Sequence, residues 1–210
     1  MNAGKFVVLE GIEGVGKSTN IRFMSEFFKK HHLPIIITRE PGGTPLAERI
    51  RDITLQKNDE PLSVDAELLL MFAARAQHLA QVIKPALMQG KWVLSDRFTD
   101  ATYAYQGGGR GIAMDRIAIL ENLVQEGLRP DLTILLDLEP QAALARTMRR
   151  AHRDRFEEET LAFFTRVREV YLQRARLEPQ RYRIVDAGQS LPAVQLELEK
   201  ILTDYVEQST

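Results

Sequence analysis

The run Phe6-Val7-Val8-Leu9-Glu10-Gly11-Ile12-Glu13-Gly14-Val15-Gly16-Lys17-Ser18-Thr19 constrains this chain more than any other. It reads as a short apolar strand, a glycine-rich turn and the first turn of a helix. Gly11, Gly16, Lys17 and Ser18 fit the pattern G-x-x-x-x-G-K-[ST], with the flanks that pattern requires. Glycines admit positive φ and let backbone N–H groups close on phosphate oxygens. The helix that begins near Lys17 points its positive end at the same spot. Lys17 supplies a mobile charge for the outer phosphates, and the Ser18 hydroxyl is suited to ligate Mg²⁺. The expectation is a nucleoside triphosphate site. Whether the chain is a kinase, a GTPase switch or a motor-like ATPase stays open on this run alone.

With 210 residues the chain is long enough for one α/β domain, and 44% hydrophobic residues suffice for a core. A formal net charge of −1 gives no basic field for nucleic acid. Without cysteine there is no disulfide, thiolate zinc site or thiol nucleophile. Met1–Lys5 runs directly into the first strand, and apolar runs such as Glu67–Ala74 fall far short of the ~20 residues of a membrane span. The expectation is a single domain over residues 1–210, cytoplasmic, with no membrane or nucleic-acid partner.

Strand-like and helical runs alternate, which predicts a parallel sheet with helices on both faces. Asn20–His32 has helical spacing, and Pro34 ends it before a compact buried strand at Ile35–Thr38. Thr44-Pro45 reads as an N-cap and first helical residue of a helix to about Leu55. Ser63–Gln89 is helical, with Leu68, Leu69, Met71, Phe72, Leu79, Val82 and Ile83 on its apolar side, and Pro85 should bend or restart it. Trp92–Ser95 is the next strand. The run Gln106–Gly111 reads as a tight loop with exposed backbone. A helix follows over Met114–Gln125, and strands at Leu132–Asp137 and Tyr182–Asp186 enclose two helices. The last helix runs from about Ser190 towards Tyr205.

Asp96 ends a strand of such a sheet, where a carboxylate can organise Mg²⁺, although a helix N-cap is the alternative. Arg97 beside it can grip a phosphate bidentately. Arg146, Arg149, Arg150, Arg153 and Arg155 are five guanidiniums within ten residues, against the single acid Asp154. They predict a lid over about 146–157 that closes on the triphosphate, an arrangement worth up to ~10³–10⁵ in rate for arginine fingers. No Asn-Lys-x-Asp run exists to select guanine, which argues against a GTPase switch. Arg39, Glu40 and Arg51 form a second polar cluster around Gly42-Gly43. Phe72 and Arg75 lie three apart on one helical face, a ring and a donor suited to read a base.

Several longer runs resemble the bacterial thymidylate kinase family. They are Leu9–Ser18, Thr38–Thr44, Asp96-Arg97-Phe98, Tyr105–Gly111, Arg129-Pro130-Asp131 and Asp154–Glu157, and the match spans nearly the whole chain. The resemblance implies a P-loop NTPase fold, with a five-stranded parallel sheet in order 2-3-1-4-5, a short lid and a homodimer. It implies transfer of the ATP γ-phosphoryl group to dTMP, giving dTDP and ADP. Gly11, Ile12, Glu13, Gly14, Val15, Gly16, Lys17, Ser18 and Thr19, with Arg146 and Arg153 of the lid, would bind ATP. Ser18 and Asp96 would serve Mg²⁺. Glu13 would meet the acceptor sugar, Arg97 and Arg39 its phosphate, and Thr102 and Gln106 the thymine. Tyr105 would oppose a ribose 2′-hydroxyl, and Pro41 and Arg51 would line the pocket with Phe72 and Arg75. No arginine fills the variable loop positions Ile12–Val15, so the catalytic arginines would be in the lid, Arg150 and Arg155, acting with Lys17, Glu13 and Arg97. Some members place the stacking aromatic four residues before the base-binding arginine, which here is Met71.

Attack by a dTMP phosphate oxygen needs no general base, since that oxygen is largely deprotonated at neutral pH (second pKa ~6). The rival enzymes are another nucleoside monophosphate kinase and a deoxynucleoside kinase. The latter would need a base, for which Glu40 is the candidate. A regulatory P-loop switch is the non-enzymatic alternative.

Overall fold

Phe6–Leu9 is apolar on both faces, the pattern of a strand covered on both sides. Accordingly β1 (Phe6–Glu10) is buried along its whole length at the centre of a five-stranded sheet. The computed structural model describes residues 4–56, 60–147 and 155–209. The other strands are β2 (Ile35–Arg39), β3 (Trp92–Asp96), β4 (Leu132–Asp137) and β5 (Tyr182–Asp186), all parallel, in order β2-β3-β1-β4-β5. This is the order the resemblance implies. Register pairs Leu9 with Asp96 and Asp96 with Arg39, so three strands end side by side at the edge where such sheets bind ligands. The sequence reads Ile35–Thr38 as a buried strand. Instead β2 forms the sheet edge, flanked by β3 alone, and Ile37 stands 46% exposed.

Helix α1 (Lys17–Lys30) stops two residues before the expected His32. There His32 takes φ 54°, and the Leu33 N–H closes back on the Phe28 carbonyl, a left-handed ending usually left to glycine. Thr44 caps α2 (Pro45–Leu55) by accepting the Ala47 N–H, as Thr-Pro predicts. Ser63 caps α3 (Val64–His78), which passes through a π-helical turn (Leu79–Ile83) into α4 (Lys84–Met88). The π-helical turn immediately precedes Pro85, which falls in the first turn of α4. Leu69 is 57% exposed and leaves the apolar side to Leu68, Met71 and Phe72.

The largest departure is the glycine run. After α5 (Thr99–Thr102) the chain continues as a π-helix (Tyr103–Gly109) rather than an exposed loop, with Gly107 and Gly109 buried. It packs on α8 (Leu161–Leu177), which follows α6 (Met114–Gln125) and α7 (Pro140–Thr147). A Cβ on Gly109 would lie 2.4 Å from the Phe163 ring, and one on Gly108 2.7 Å from Val170 Cγ2. The glycines are there for close approach. Arg166 of α8 donates to the Gly108 and Gly109 carbonyls at 3.0 and 2.9 Å, partners a π-helix end would otherwise lack. Helix α9 (Leu191–Ser209) packs against α1 and the edge strand β5. Among the described residues no helix is long and apolar enough to cross a membrane.

Candidate active site

Gly11, Gly14 and Gly16 take φ of 138°, 80° and 93°, so the loop after β1 has the conformation only glycine adopts cheaply. Gly14 also lets α7 press against the loop, since a Cβ there would meet the Ala143 carbonyl oxygen at 2.4 Å. The first turn of α1 has neither a capping side chain nor an acidic residue, leaving its N–H groups to an anion. Lys17 Nζ donates to the Gly11 and Ile12 carbonyls, each at 2.9 Å. Burial, with the nearby Arg97 charge, brings the Lys17 pKa down to about 8, although Asp96, Glu13 and Glu10 pull the other way.

Asp96 closes β3 and lines the same crevice as Lys17, Ser18 and Thr19. It is not a helix cap, because α5 begins at Thr99 behind Phe98. Its Oδ1 is buried without a hydrogen-bond partner. A carboxylate lining a crevice beside a hydroxyl fits a hard cation with oxygen ligands. Among the described residues no group of three His, Cys, Asp or Glu could hold a metal alone. Mg²⁺ held here by Ser18 and Asp96 would draw its remaining ligands from phosphate and water.

Arg97 follows at φ 70°, held by the Ser95 hydroxyl donating to its carbonyl at 2.7 Å. The guanidinium is enclosed by oxygens. Nη2 donates to Glu13 Oε1 at 2.6 Å and to the Tyr105 hydroxyl at 3.0 Å, and Nη1 donates to the Tyr171 hydroxyl at 3.0 Å. Tyr105 donates in turn to the second Glu13 oxygen. Tyr171 donates to Glu10 Oε2 at 2.8 Å, while Glu10 Oε1 accepts the Phe98 N–H at 2.8 Å. Burial, with Asp100 adding to it, pushes the Glu10 carboxyl up to about 7.

Beside this lies a second cavity, lined by both apolar and polar side chains. Pro41, Arg51, Arg75, Thr102, Tyr105 and Gln106 all line it. The phosphate crevice and this cavity share Glu13, Glu40, Arg51 and Arg97. Arg75 donates from Nε to Glu40 at 2.7 Å and from Nη2 to Thr102 Oγ1 at 2.9 Å, and its Nη1 is buried without a partner. The other Glu40 oxygen meets His78 Nδ1 at 3.0 Å, so both oxygens are committed. Phe72 does not line the cavity. It is buried under the Arg75 guanidinium, 4.8 Å from ring centroid to Cζ, and Met71 takes the wall position together with Phe98 and Phe156.

The remaining arginines are dispersed. Arg39 lines the crevice but is paired with Glu48 at 2.7 Å, and Arg51 donates to the Pro41 carbonyl at 3.0 Å. Arg155 lies away from the crevice, donating to Glu67 and to the Thr54 carbonyl. Arg146 donates to the Ala187 carbonyl at 3.1 and 3.2 Å. Arg149, Arg150 and Arg153 lie outside the described residues. Three site residues escape the sequence reading: Glu10, Tyr171 and Glu67. Glu10 and Glu67 are charges set in otherwise apolar runs, a signal present in the sequence, whereas nothing marks Tyr171.

The family model for thymidylate kinase matches residues 9–198. Thymidylate kinases of Pseudomonas putida (strain GB-1) and Ectopseudomonas mendocina (strain ymp) are 58% and 56% identical to this chain, over 98% and 97% of both partners' lengths. The crystal structure of thymidylate kinase from Ehrlichia chaffeensis matches with a TM-score of 0.77 and 33% identity, over 95% of this chain and 99% of that one. The chain belongs to the thymidylate kinase family.

Proposed function

We propose that this chain transfers the γ-phosphoryl group of ATP to dTMP, giving dTDP and ADP. One observation carries the reading: the phosphate crevice and the second cavity meet at Arg97 and Glu13. The triphosphate lies on Gly11–Thr19 with Lys17 on its outer phosphates. Bound through Ser18 and Asp96, Mg²⁺ would neutralise charge on the phosphates. Arg97 holds the acceptor phosphate in line with the donor, so catalysis is positioning and charge neutralisation without a base. Glu40, committed on both oxygens, offers no base for a nucleoside hydroxyl, which disfavours the deoxynucleoside kinase alternative.

Arg75 Nη1 is a buried donor without a partner, suited to the 4-oxo group of thymine. Gln106 accepts from the ring N3–H, and Met71, Phe98 and Phe156 form the apolar walls. Glu13 and Tyr105 meet the sugar. The lid arginines Arg150, Arg153 and Arg155 act once the lid closes, which requires Arg155 to leave Glu67. Leu69 on α3 and Ile119 and Leu123 on α6 are 57, 66 and 73% exposed, and α3 packs on α6. Their apolar surface supports a homodimer, and the enzyme works in the cytoplasm.

A coupled assay of ADP release tests the reaction across dTMP, dUMP, dCMP, dGMP and thymidine. The expected result is turnover highest with dTMP. Faster turnover of thymidine would overturn the acceptor, and no dTMP-stimulated ADP release would overturn the kinase.

A further inference from the structure

Beyond releasing Arg155, Glu67 has no role in the reaction above, yet it is 1% exposed and contacts Gln106 of the cavity wall. Its Oε1 accepts from Gln106 Nε2 at 2.8 Å. Its Oε2 accepts from Arg155 Nη2 and faces Arg110 Nε at 3.4 Å. A salt-bridged carboxylate has no proton to give, so only the amide nitrogen of Gln106 can face it. The amide oxygen is therefore turned the other way, and it accepts from no described residue. A glutamine free to rotate would offer a ligand either its NH₂ or its oxygen, and Glu67 removes the first choice.

We infer that Glu67 is a specificity-determining residue, which fixes the Gln106 amide so that the cavity admits a 4-oxo pyrimidine carrying N3–H and rejects a 4-amino one. The inference rests on the proposed dTMP reaction and adds to it a residue that never touches the substrate. Cytosine presents an amino donor where Arg75 already donates, and a bare N3 where the Gln106 oxygen needs a proton. Both contacts would be unpaired or repulsive, the situation in which a buried polar site discriminates strongly. If the Gln106 amide could turn over, one of the two mismatches would disappear.

Glu67→Gln is close to isosteric but can donate as well as accept, which frees Gln106 to turn. Glu67→Asp keeps an acceptor-only group while packing less well. A purely structural role makes the isosteric variant the milder one, and the inference predicts the reverse for selectivity. The measurement is kcat/KM for dTMP and for dCMP in the full chain and both variants, with thermal unfolding as a check on folding. Glu67→Gln should lower the dTMP/dCMP ratio by about tenfold or more, and Glu67→Asp should keep it within about threefold of wild type. A folded Glu67→Gln with an unchanged ratio, or a Glu67→Asp that loses the ratio, overturns the inference. Should Glu67→Gln not fold, Glu67→Asp decides alone by the same limits. A wild-type chain that does not turn over dTMP would instead remove the underlying reaction.

Discussion

Arg97 Nη2 and Glu13 Oε1 form an ion pair of 2.6 Å that ties the end of β3 to the phosphate-binding loop. The pair sits where the two cavities meet, so Arg97 is oriented by the loop after β1. Tyr105 and Tyr171 complete its coordination from the π-helix and from α8. Three separate elements thus hold one guanidinium against the strain of a left-handed backbone.

Arg97→Ala should lower kcat/KM for dTMP by about 2–4 kcal/mol of transition-state stabilisation, through both KM and kcat. Arg97→Lys should recover little, because an ammonium cannot span two phosphate oxygens as a guanidinium does. Steady-state kinetics with varied dTMP measure this. A kcat/KM near wild type in the alanine variant would remove Arg97 from the acceptor site.

Lys17→Ala should reduce kcat by ~10²–10³, the usual loss of one preorganised charge on a transferring group. Stability should not fall with it. Burial lowers the lysine's pKa to about 8, so its charged form is held in the fold at a cost. A thermal scan alongside the kinetics separates the two effects, and a large drop in Tm would contradict this account of Lys17.

Glu10 predicts a pH dependence of stability. In the unfolded chain it loses its proton near pH 4.5, and in the fold at about pH 7. Between those values the native state holds more protons than the unfolded one, so stability falls as pH rises through the window. The loss is on the order of 3 kcal/mol. Glu10→Gln carries no charge to bury, so its Tm should gain on wild type steadily across that window and level off above it. A difference in Tm that stays constant with pH would contradict the assignment.

Gly109→Ala should destabilise the chain by ~1–3 kcal/mol through overpacking against Phe163. Gly109 has no positive φ, so the alanine backbone is unstrained and the clash acts alone. Phe163 packs edge-on to Tyr105 at 6.1 Å between centroids, which carries the disturbance to Arg97. Thermal unfolding should show the loss, and the double variant with Phe163→Leu should recover part of it. No change in Tm would mean that the close approach is not needed.

The alternation of strands and helices, the cap at Thr44 and the loop at Gly11–Ser18 are legible from sequence because each follows a local rule. Runs of apolar residues, a hydroxyl before Pro and a spaced glycine motif need no distant partner. The glycine run misleads because glycines serve exposed turns and close packing alike, and only the position of Phe163 on α8 decides between them. Phe72 misleads for a similar reason. Helical spacing brings it under Arg75, but which residue faces the cavity depends on the rotation of α3, and that favours Met71. Arg155 belongs to a local arginine cluster, whereas its partner Glu67 lies 88 residues away.

The most direct test is a structure of the full chain with dTMP and a non-hydrolysable ATP analogue. The account predicts the dTMP phosphate on Arg97, the triphosphate on Gly11–Thr19, and the thymine edge between Arg75 Nη1 and the Gln106 amide oxygen. A dTMP phosphate bound away from Arg97, or a thymine outside the cavity lined by Arg75 and Gln106, would contradict it.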